Sequence, residues 1–442
     1  MQLSVAVALL LLEIIESVEG LLQLTGFSCS RHPAHLVTGH FYNSGPYACF
    51  LAVAFPLTLW MAFRQNNKLQ MWVGTGMAVM AAVLIPATMS RTALVACAAG
   101  SCVSFAGPLK EMVGRLSSGW RTVLVVAFIA GGIGIYSLKK DSADGRVLMW
   151  KVAAQAALDA PVGGVGWDKV AGTYGEAQEN YFASGGASGT DMLVADAPEY
   201  VFNEYLQVAI AFGVPAALGM IAIIIGGIVV AMRAGAYGYA GGATAVAVVM
   251  MASYPLQFPL FIIAIGLMLA GCYLSSRSRA VNIIATAVIA GLCTFFLTHN
   301  QTVDVRTGFS VGHSLHKMRE YRKSNANLLP LLAHSSDPML LNIIGKNYQA
   351  LGMPDSAEYY LNKSVNRCPN RLYPHYLLMR LHADTSSFNR EAMMREAGIV
   401  ATKQEKIPSP AVEEMRAEAR EILSKQNKIP STISNYRYEE RR

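Results

Sequence analysis

Residues 205–232 read YLQVAIAFGVPAALGMIAIIIGGIVVAM and contain no charged side chain. A helix of roughly 20 apolar residues crosses the hydrocarbon core of a bilayer, so this stretch predicts a membrane-spanning helix. Other apolar stretches before residue 299 carry the same signal, and together they predict an all-α bundle of about nine spans. The remaining stretches are 3–24, 45–63, 71–89, 92–107, 120–138, 238–254, 257–274 and 281–298.

The composition of the whole chain agrees with a membrane protein. Of its 442 residues 53% are hydrophobic and 15% are charged, whereas a soluble domain carries about 25% charged residues. An ordinary soluble enzyme is therefore excluded. The net charge of +7 is dispersed among short loops and the tail, without the clustered basic stripe that nucleic-acid binding requires. We expect no nucleic-acid partner.

The first apolar stretch differs from the others because Glu13, Glu16 and Glu19 share one helical face. Such a face suits a helix packed against other protein, or an interfacial helix, better than one surrounded by lipid. No Lys or Arg precedes the stretch, so it lacks the charged region that begins a signal peptide.

The positions of Lys and Arg in the short loops predict the orientation of the bundle. They fall in alternate loops, which should face the cytoplasm. These residues are Arg64, Lys68, Lys110, Arg115, Arg121, Arg233, Arg277 and Arg279. The long segment 139–203 and everything after His299 should then lie on the opposite side, where we expect any chemistry.

We divide the chain into a membrane domain (1–298), a linker (299–336), a helical domain (337–430) and a polar tail (431–442). From Pro338 the spacing of small and large residues resembles a tetratricopeptide unit, with Gly345 allowing two helices to approach closely. A generic helical bundle is the alternative. Either one predicts a docking module that binds a protein partner.

Two arginines at the outer edge of the spans are the strongest candidates for chemistry. Arg91 follows Ser90 in a short turn between apolar stretches, and Arg146 precedes Trp150 on an expected amphipathic helix, 145–158. A guanidinium offers fixed donors and a permanent charge, which suit a diphosphate. Alternatively, both arginines reach the interface or pair with acids such as Asp144.

The long outer segment holds further candidates. The glycines of 161–167, including Gly166, predict a tight turn beside a bound group, and the polar stretch 174–197 predicts a flexible flap. Asn203 and Glu204 then open the next span. Glu204 is a candidate base towards a sugar hydroxyl, whereas Asn203 is readily explained as a helix cap.

Four patches, in this order, resemble the family of O-antigen ligases and O-antigen polymerases, which are membrane glycosyltransferases of the GT-C type. The first patch contains Asn43 and resembles the family's Gly-x-Phe-x-Asn-x-Asn motif. The second is the Ser90–Ala93 turn, which is similar to Ser-Arg-Gly/Thr-Ala. Arg146, Trp150 and Gly166 belong to the third, at the start of the large periplasmic loop. The fourth is Phe202-Asn203-Glu204-Tyr205-Leu206, which resembles His-Asn-x-Tyr-Leu.

The resemblance implies a glycan donor, undecaprenyl diphosphate, whose diphosphate is held by Arg91 and Arg146. It also implies transfer at the periplasmic face of the bacterial inner membrane, with neither a metal nor another cofactor. The family's signature His is Phe202 here. Glu204, Glu199 and His40 are the candidates for the missing catalytic group, and the sequence does not choose among them. Family members usually have several more spans before the first patch, so a short form or an internal start is expected.

The leading hypothesis is ligase-like, inverting transfer of an oligosaccharide or polysaccharide from undecaprenyl diphosphate to an acceptor at the periplasmic face. The sequence leaves the acceptor open, and in a ligase it is lipid A-core. The acceptor would instead be another lipid-linked repeat in a polymerase, or a Ser or Thr of an exported protein in an oligosaccharyltransferase. Two further hypotheses are a polysaccharide transporter, which would place ionisable groups near mid-bilayer, and an inactive scaffold, which Phe202 favours.

Overall fold

The structure is a computed structural model that describes residues 2–117, 119, 120, 122, 123, 126, 140–299, 303–385, 387–403 and 409–426. Within these ranges the regular elements are all helices, as the sequence predicts. The chain forms two compact units. One comprises Met1–Val170 and Tyr200–Thr302, and the other comprises Ala171–Glu199 and Val303–Arg442.

The α-helices are numbered in chain order over the described residues. They are α1 (Gln2–Leu24), α2 (Ser44–Arg64), α3 (Lys68–Ala87), α4 (Arg91–Ser104), α5 (Ala106–Arg115), α6 (Lys140–Asp159), α7 (Val170–Ala183), α8 (Gly189–Val194), α9 (Glu204–Phe212), α10 (Val214–Arg233), α11 (Tyr237–Ala252), α12 (Pro259–Leu274), α13 (Arg279–His299), α14 (Val305–Lys317), α15 (Tyr321–Leu328), α16 (Pro338–Ala350), α17 (Pro354–Arg367), α18 (Tyr373–Ala383), α19 (Arg390–Thr402) and α20 (Pro410–Gln426). Short 3-10 helices occupy Trp167–Lys169, Pro255–Gln257 and Leu329–His334.

Four helices of the first unit, α2, α3, α10 and α13, are long and apolar enough to cross a membrane. The helices α4 and α5 form a pair bent by 81°, and α11 and α12 are apolar but shorter. The stretch 205–232 is two helices separated at Gly213. Most of 120–138 lies outside the described residues, so the count of nine spans stays a prediction.

Helix α1 is amphipathic in the reverse sense to a helix of a soluble protein. Glu13 and Glu16 are 0% and 1% exposed, and Ser17 and Gln23 are buried with them. The exposed side chains on the opposite face are apolar: Leu11, Ile14, Ile15, Val18, Leu21 and Leu22. Polar groups inside and apolar groups outside suit a helix whose outer face meets lipid. Glu13 and Glu16 therefore face protein, which is one of the two arrangements expected from the sequence, whereas Glu19 is partly exposed.

The glycine-rich segment 161–167 packs against the break between α9 and α10. The Val165 N–H donates to the Ile210 carbonyl at 2.9 Å and the Val214 N–H donates to the Pro161 carbonyl at 2.8 Å. Gly164 has a φ of +64°, and a Cβ there would lie 2.4 Å from the backbone of Ala211. We expected these glycines beside a bound group. The structure shows that they allow two backbones to approach and satisfy the polar groups of a broken helix. A bound group beside them stays a prediction.

The stretch 174–197, predicted as a flexible flap, contains α7 and α8, so that expectation was wrong. Helix α7 packs in the second unit, where a Cβ on Gly172 would lie 2.2 Å from the Ala333 carbonyl oxygen. Tyr174 and Gln178 are 2% and 1% exposed. The polar composition suggested a segment exposed to solvent, but these side chains are buried against partners in the distant tail.

The tail consists of successive helices, each of which contacts the next. The helices expected from the repeat pattern are present as α16 and α17, and a Cβ on Gly345 would lie 2.8 Å from the Leu361 side chain. Most of the region that we assigned to a linker, 299–336, is also helical, as α14, α15 and a 3-10 turn. Leu328 and Leu331 from that region pack against Leu340, Ile343 and Ile344, which is why it folds with the tail.

The make-up of the second unit limits how often the chain can cross a membrane. It combines 171–199, from the long loop, with the tail after residue 303. Segments that form one compact unit must lie on the same side of a membrane, so the chain crosses the membrane an even number of times between residues 199 and 303. The predicted topology, with four spans in this interval, has that property.

Candidate active site

Arg91 is the first residue of α4. The Ser90 hydroxyl accepts a hydrogen bond from the Ala93 N–H at 3.4 Å, which caps the helix. The Arg91 guanidinium donates to the Ser142 hydroxyl at 3.4 Å. The first turn of a helix carries a partial positive charge from its unpaired N–H groups. The cation of Arg91 is thus added to a region that already favours an anion.

Arg146, on α6, lies at the same end of the first unit. Its Nη1 donates to the Thr92 hydroxyl at 3.2 Å and to the Ala252 carbonyl at 3.0 Å, and its guanidinium lies 5.4 Å from the centre of the Phe202 ring. Within the described residues these partners of Arg146 are neutral. Burial, followed by the charge of Arg91, lowers the pKa of Arg146. Burial and the neighbouring charge of Arg91 both disfavour the charged form of Arg146. An anion between the two arginines would stabilise both cations.

Tyr254 links the first and fourth sequence patches. Its hydroxyl accepts a hydrogen bond from the Asn43 side chain at 3.4 Å. Its ring packs edge-on against Phe202, with centres 4.8 Å apart, and stacks on Tyr200 at 5.1 Å. No motif in the sequence marks Tyr254. Its position before Pro255, in a short break between apolar stretches, was the available signal.

Phe202, at the position of the family's His, has a φ of +54°, which side-chain-bearing residues rarely adopt. The Trp150 indole donates to the Phe202 carbonyl at 3.4 Å. The strained backbone is therefore held by a candidate site residue, and the ring is presented to the guanidinium of Arg146. Strain of this kind concentrates at functional sites.

The other residues of the four sequence patches make structural hydrogen bonds. The Asn203 side chain accepts from the Leu206 N–H at 3.2 Å and caps α9, as expected. The Tyr205 hydroxyl donates to the Ala247 carbonyl at 3.0 Å. Asn43 caps α2 by accepting from the Gly45 N–H at 2.9 Å. Gly166 has a φ of +98° and donates its N–H to the Ala211 carbonyl at 2.9 Å.

The three candidate catalytic groups have different surroundings. Glu204 is 0% exposed, and its Oε1 accepts from the Leu256 N–H at 2.8 Å. Glu199 is exposed and belongs to the second unit. The His40 side chain is 43% exposed, and its Nδ1 lies 2.9 Å from Glu16 Oε1. Among the described residues no group of three or more His, Cys, Asp or Glu side chains is placed to hold a metal ion.

The comparison with protein families identifies the region that carries this site. Residues 76–221 match the family model described as O-Antigen ligase. The match supports the O-antigen ligase family. It includes Arg91, Arg146 and Phe202, whereas His40 and Tyr254 lie outside the matched region. Neither the curated proteins nor the solved structures gave a significant match. The match and the apolar helices indicate a multi-pass membrane protein with a region similar to the O-antigen ligases.

Proposed function

We propose that this protein transfers a glycan from undecaprenyl diphosphate to an acceptor at the periplasmic face of the bacterial inner membrane. The observation that carries the proposal is the pair Arg91 and Arg146 at one end of the first unit. They meet at the start of α4, and Arg146 has neutral partners among the described residues. This arrangement favours a phosphate-bearing ligand.

In the proposed reaction, the acceptor hydroxyl oxygen forms a bond to the anomeric carbon of the donor. The bond from that carbon to the diphosphate oxygen breaks, and the diphosphate leaves with the electron pair. The hydroxyl proton passes to a base on the protein. Because negative charge grows on the leaving group, fixed cations beside it stabilise the transition state. The diphosphate is already a leaving group, so we propose that the reaction needs neither a metal nor a nucleotide.

The proposed acceptor is lipid A-core, which makes the activity that of a ligase. We keep one alternative of the same chemistry, transfer to an exported protein. It is favoured by the helices α16 and α17, which contact each other closely at Gly345. Their sequence spacing resembles a tetratricopeptide unit, and stacked repeats of this kind present extended binding surfaces.

Complementation of a gene deletion with wild-type and Arg146→Ala protein tests this function. Lost banding of lipopolysaccharide in the deletion strain identifies a ligase, collapse to single-repeat length a polymerase, and loss of glycoprotein signal an oligosaccharyltransferase. Arg146→Ala should fail to restore the lost product although it reaches the membrane in normal amount. Normal glycans in the deletion strain, or full restoration by Arg146→Ala, would refute the proposal.

The proposed orientation can be tested with an exposed thiol. Cys29 is exposed in the loop between α1 and α2. In a variant that keeps only this cysteine, a membrane-impermeant maleimide added from the periplasmic side should label it. A reporter fused after residue 310 should also be periplasmic. If both report the cytoplasm, the site faces the wrong compartment for the proposed donor.

A further inference from the structure

The proposed transfer needs a group that removes the proton from the acceptor hydroxyl. Phe202 cannot exchange a proton, and Glu204 is 0% exposed with one oxygen bound to a backbone N–H. The first loop contains an alternative whose surroundings suit the task.

His40 makes two contacts to the same carboxylate. Its backbone N–H donates to Glu16 Oε2 at 3.0 Å, and its Nδ1 lies 2.9 Å from Glu16 Oε1. Glu16 is on α1 and is 1% exposed. A buried carboxylate is costly unless it is hydrogen-bonded. Both of its oxygens are directed at His40, so this one residue compensates for much of that cost.

The rest of the loop is built to bring His40 to the carboxylate. The Gln23 side chain, two turns further along α1, accepts from the N–H groups of Thr38 and Gly39 at 2.8 and 2.9 Å and donates to the Gly39 carbonyl at 3.1 Å. Gly39 has a φ of +52°, and a Cβ there would lie 2.4 Å from Glu16 Oε2. Only glycine therefore allows the loop to lie this close to Glu16.

The pairing determines which imidazole nitrogen is available. A carboxylate can only accept, so the Nδ1 facing Glu16 carries the proton in the neutral ring, and Nε2 then has the free lone pair. The His40 side chain is 43% exposed. Among the described residues Nε2 has no hydrogen-bond partner. A histidine oriented by a buried carboxylate, with its second nitrogen open, has the geometry of a general base.

Contacts place this loop beside the arginine site. The Phe41 ring packs edge-on against Phe258 at 5.2 Å, and Asn43 donates to Tyr254. Tyr254 in turn contacts Phe202, whose ring lies beside the Arg146 guanidinium. The dyad and the arginines thus share one end of the first unit.

We infer that His40 is the general base of the proposed transfer and that Glu16 is its positioning residue. This inference rests on the proposed function. His40 Nε2 takes the proton of the acceptor hydroxyl as the hydroxyl oxygen bonds to the anomeric carbon and the diphosphate leaves. The imidazolium that forms is stabilised by the Glu16 carboxylate.

Two substitutions test the two roles separately. In His40→Asn the amide can still donate to Glu16, but the base is lost, so kcat should fall at least about 100-fold with little change in the KM for the donor. In Glu16→Gln the amide donates to Nδ1 and leaves the proton on Nε2, where it blocks proton abstraction. We expect a fall in kcat for this variant as well, again without a change in KM. His32→Asn, the same change in the same loop, should behave as wild type.

The assay uses full-length protein in membranes, with glycan-bearing undecaprenyl diphosphate from the host as donor and the acceptor that the deletion strain identifies. The charged or titratable groups near His40 are Glu16 and Glu19 on α1 and Arg31 on the loop. Tyr47 is linked to them because its hydroxyl donates to the Glu16 backbone carbonyl. These groups are unchanged in His40→Asn and in the control.

The outcomes separate the inference from the proposed function. Wild-type activity with an unaltered kcat in His40→Asn would overturn the inference and leave the transferase intact. An equal loss in His32→Asn would do the same, because it would attribute the effect to the loop rather than to the base. If wild-type protein does not transfer glycan while a known transferase does so in the same membranes, both proposals fail.

Discussion

Arg146 in the first unit is partly buried and Arg367 in the second is fully buried, and the two cations have different neighbours. Arg367 is 1% exposed, forms an ion pair with Glu179 and donates to the Ser335 carbonyl at 3.2 Å. Lys363 lies 3.2 Å from the other oxygen of Glu179. Arg146 has a hydroxyl, a carbonyl and an aromatic ring as neighbours.

The comparison separates a structural arginine from a candidate binding arginine. In the second unit the counter-charge is part of the fold, since Glu179 on α7 joins the loop to α17 of the tail. In the first unit, the described groups that contact Arg146 carry no negative charge to balance its own. We propose that a ligand with negative charge balances Arg146.

Arg367→Ala should cause the largest change. Removal of one partner of a buried ion pair costs up to about 3–5 kcal/mol, and here it leaves Glu179 with Lys363 as its remaining counter-charge. Hydrogen exchange in the full-length protein should accelerate in α7 and α17 together, while α2 keeps its protection. Unchanged exchange in α7 would show that the Glu179 pair does not hold the loop to the tail.

Arg146→Ala should cause the second-largest change, and that change should be in glycan transfer rather than in stability. Loss of one fixed donor that stabilises a transition state lowers the rate about 100- to 1000-fold, and glycan transfer should fall accordingly. Exchange in α6 should stay close to wild type because no buried counter-ion is exposed. If α6 instead unfolds as α7 does in Arg367→Ala, the two arginines have the same structural role.

Tyr254→Phe should have a smaller effect. It removes the hydroxyl that accepts from Asn43, a hydrogen bond of about 1 kcal/mol, and keeps the ring against Phe202. We expect transfer to fall roughly fivefold, since 1.4 kcal/mol corresponds to a factor of about 10. A loss as large as that of Arg146→Ala would mean that the hydroxyl itself contacts the substrate.

Arg371→Ala, the control for Arg367, should change least. Its pair with Asp196 has a separation of 3.3 Å, but the two side chains are 54% and 71% exposed. Such exposed pairs contribute about 0.2–1 kcal/mol, so exchange in α7 should hardly respond. An effect equal to that of Arg367→Ala would remove burial as the explanation of the difference.

Some local features followed from the sequence because their causes lie within a few residues. Asn203 was read as a helix cap and is one. The glutamates of α1 were expected to face protein, since charge inside a membrane needs a polar environment, and Glu13 and Glu16 are buried. Gly345 was expected between paired helices, where it lies against Leu361.

Other features could not be predicted from the sequence because the residues they contact are distant in the chain. Glu179 and Gln178 looked like part of a solvated flap until α7 was seen beside Arg367, almost two hundred residues away. Glu204 looked like an available base, but folding places it against the N–H of Leu256. Tyr254 had no motif, and it connects the patches only through contacts made in three dimensions.

The sequence by itself determined the helical class, the apolar stretches, the caps and the order of the motifs, because hydropathy, helical periodicity and capping are local properties. Tertiary structure alone decided which charges are neutralised within the fold. It paired Glu16 with His40 and Glu179 with Arg367, and it surrounded Arg146 with neutral groups. The physical reason is that the cost of burying a charge depends on what lies within a few ångströms of it, and chain topology sets those neighbours.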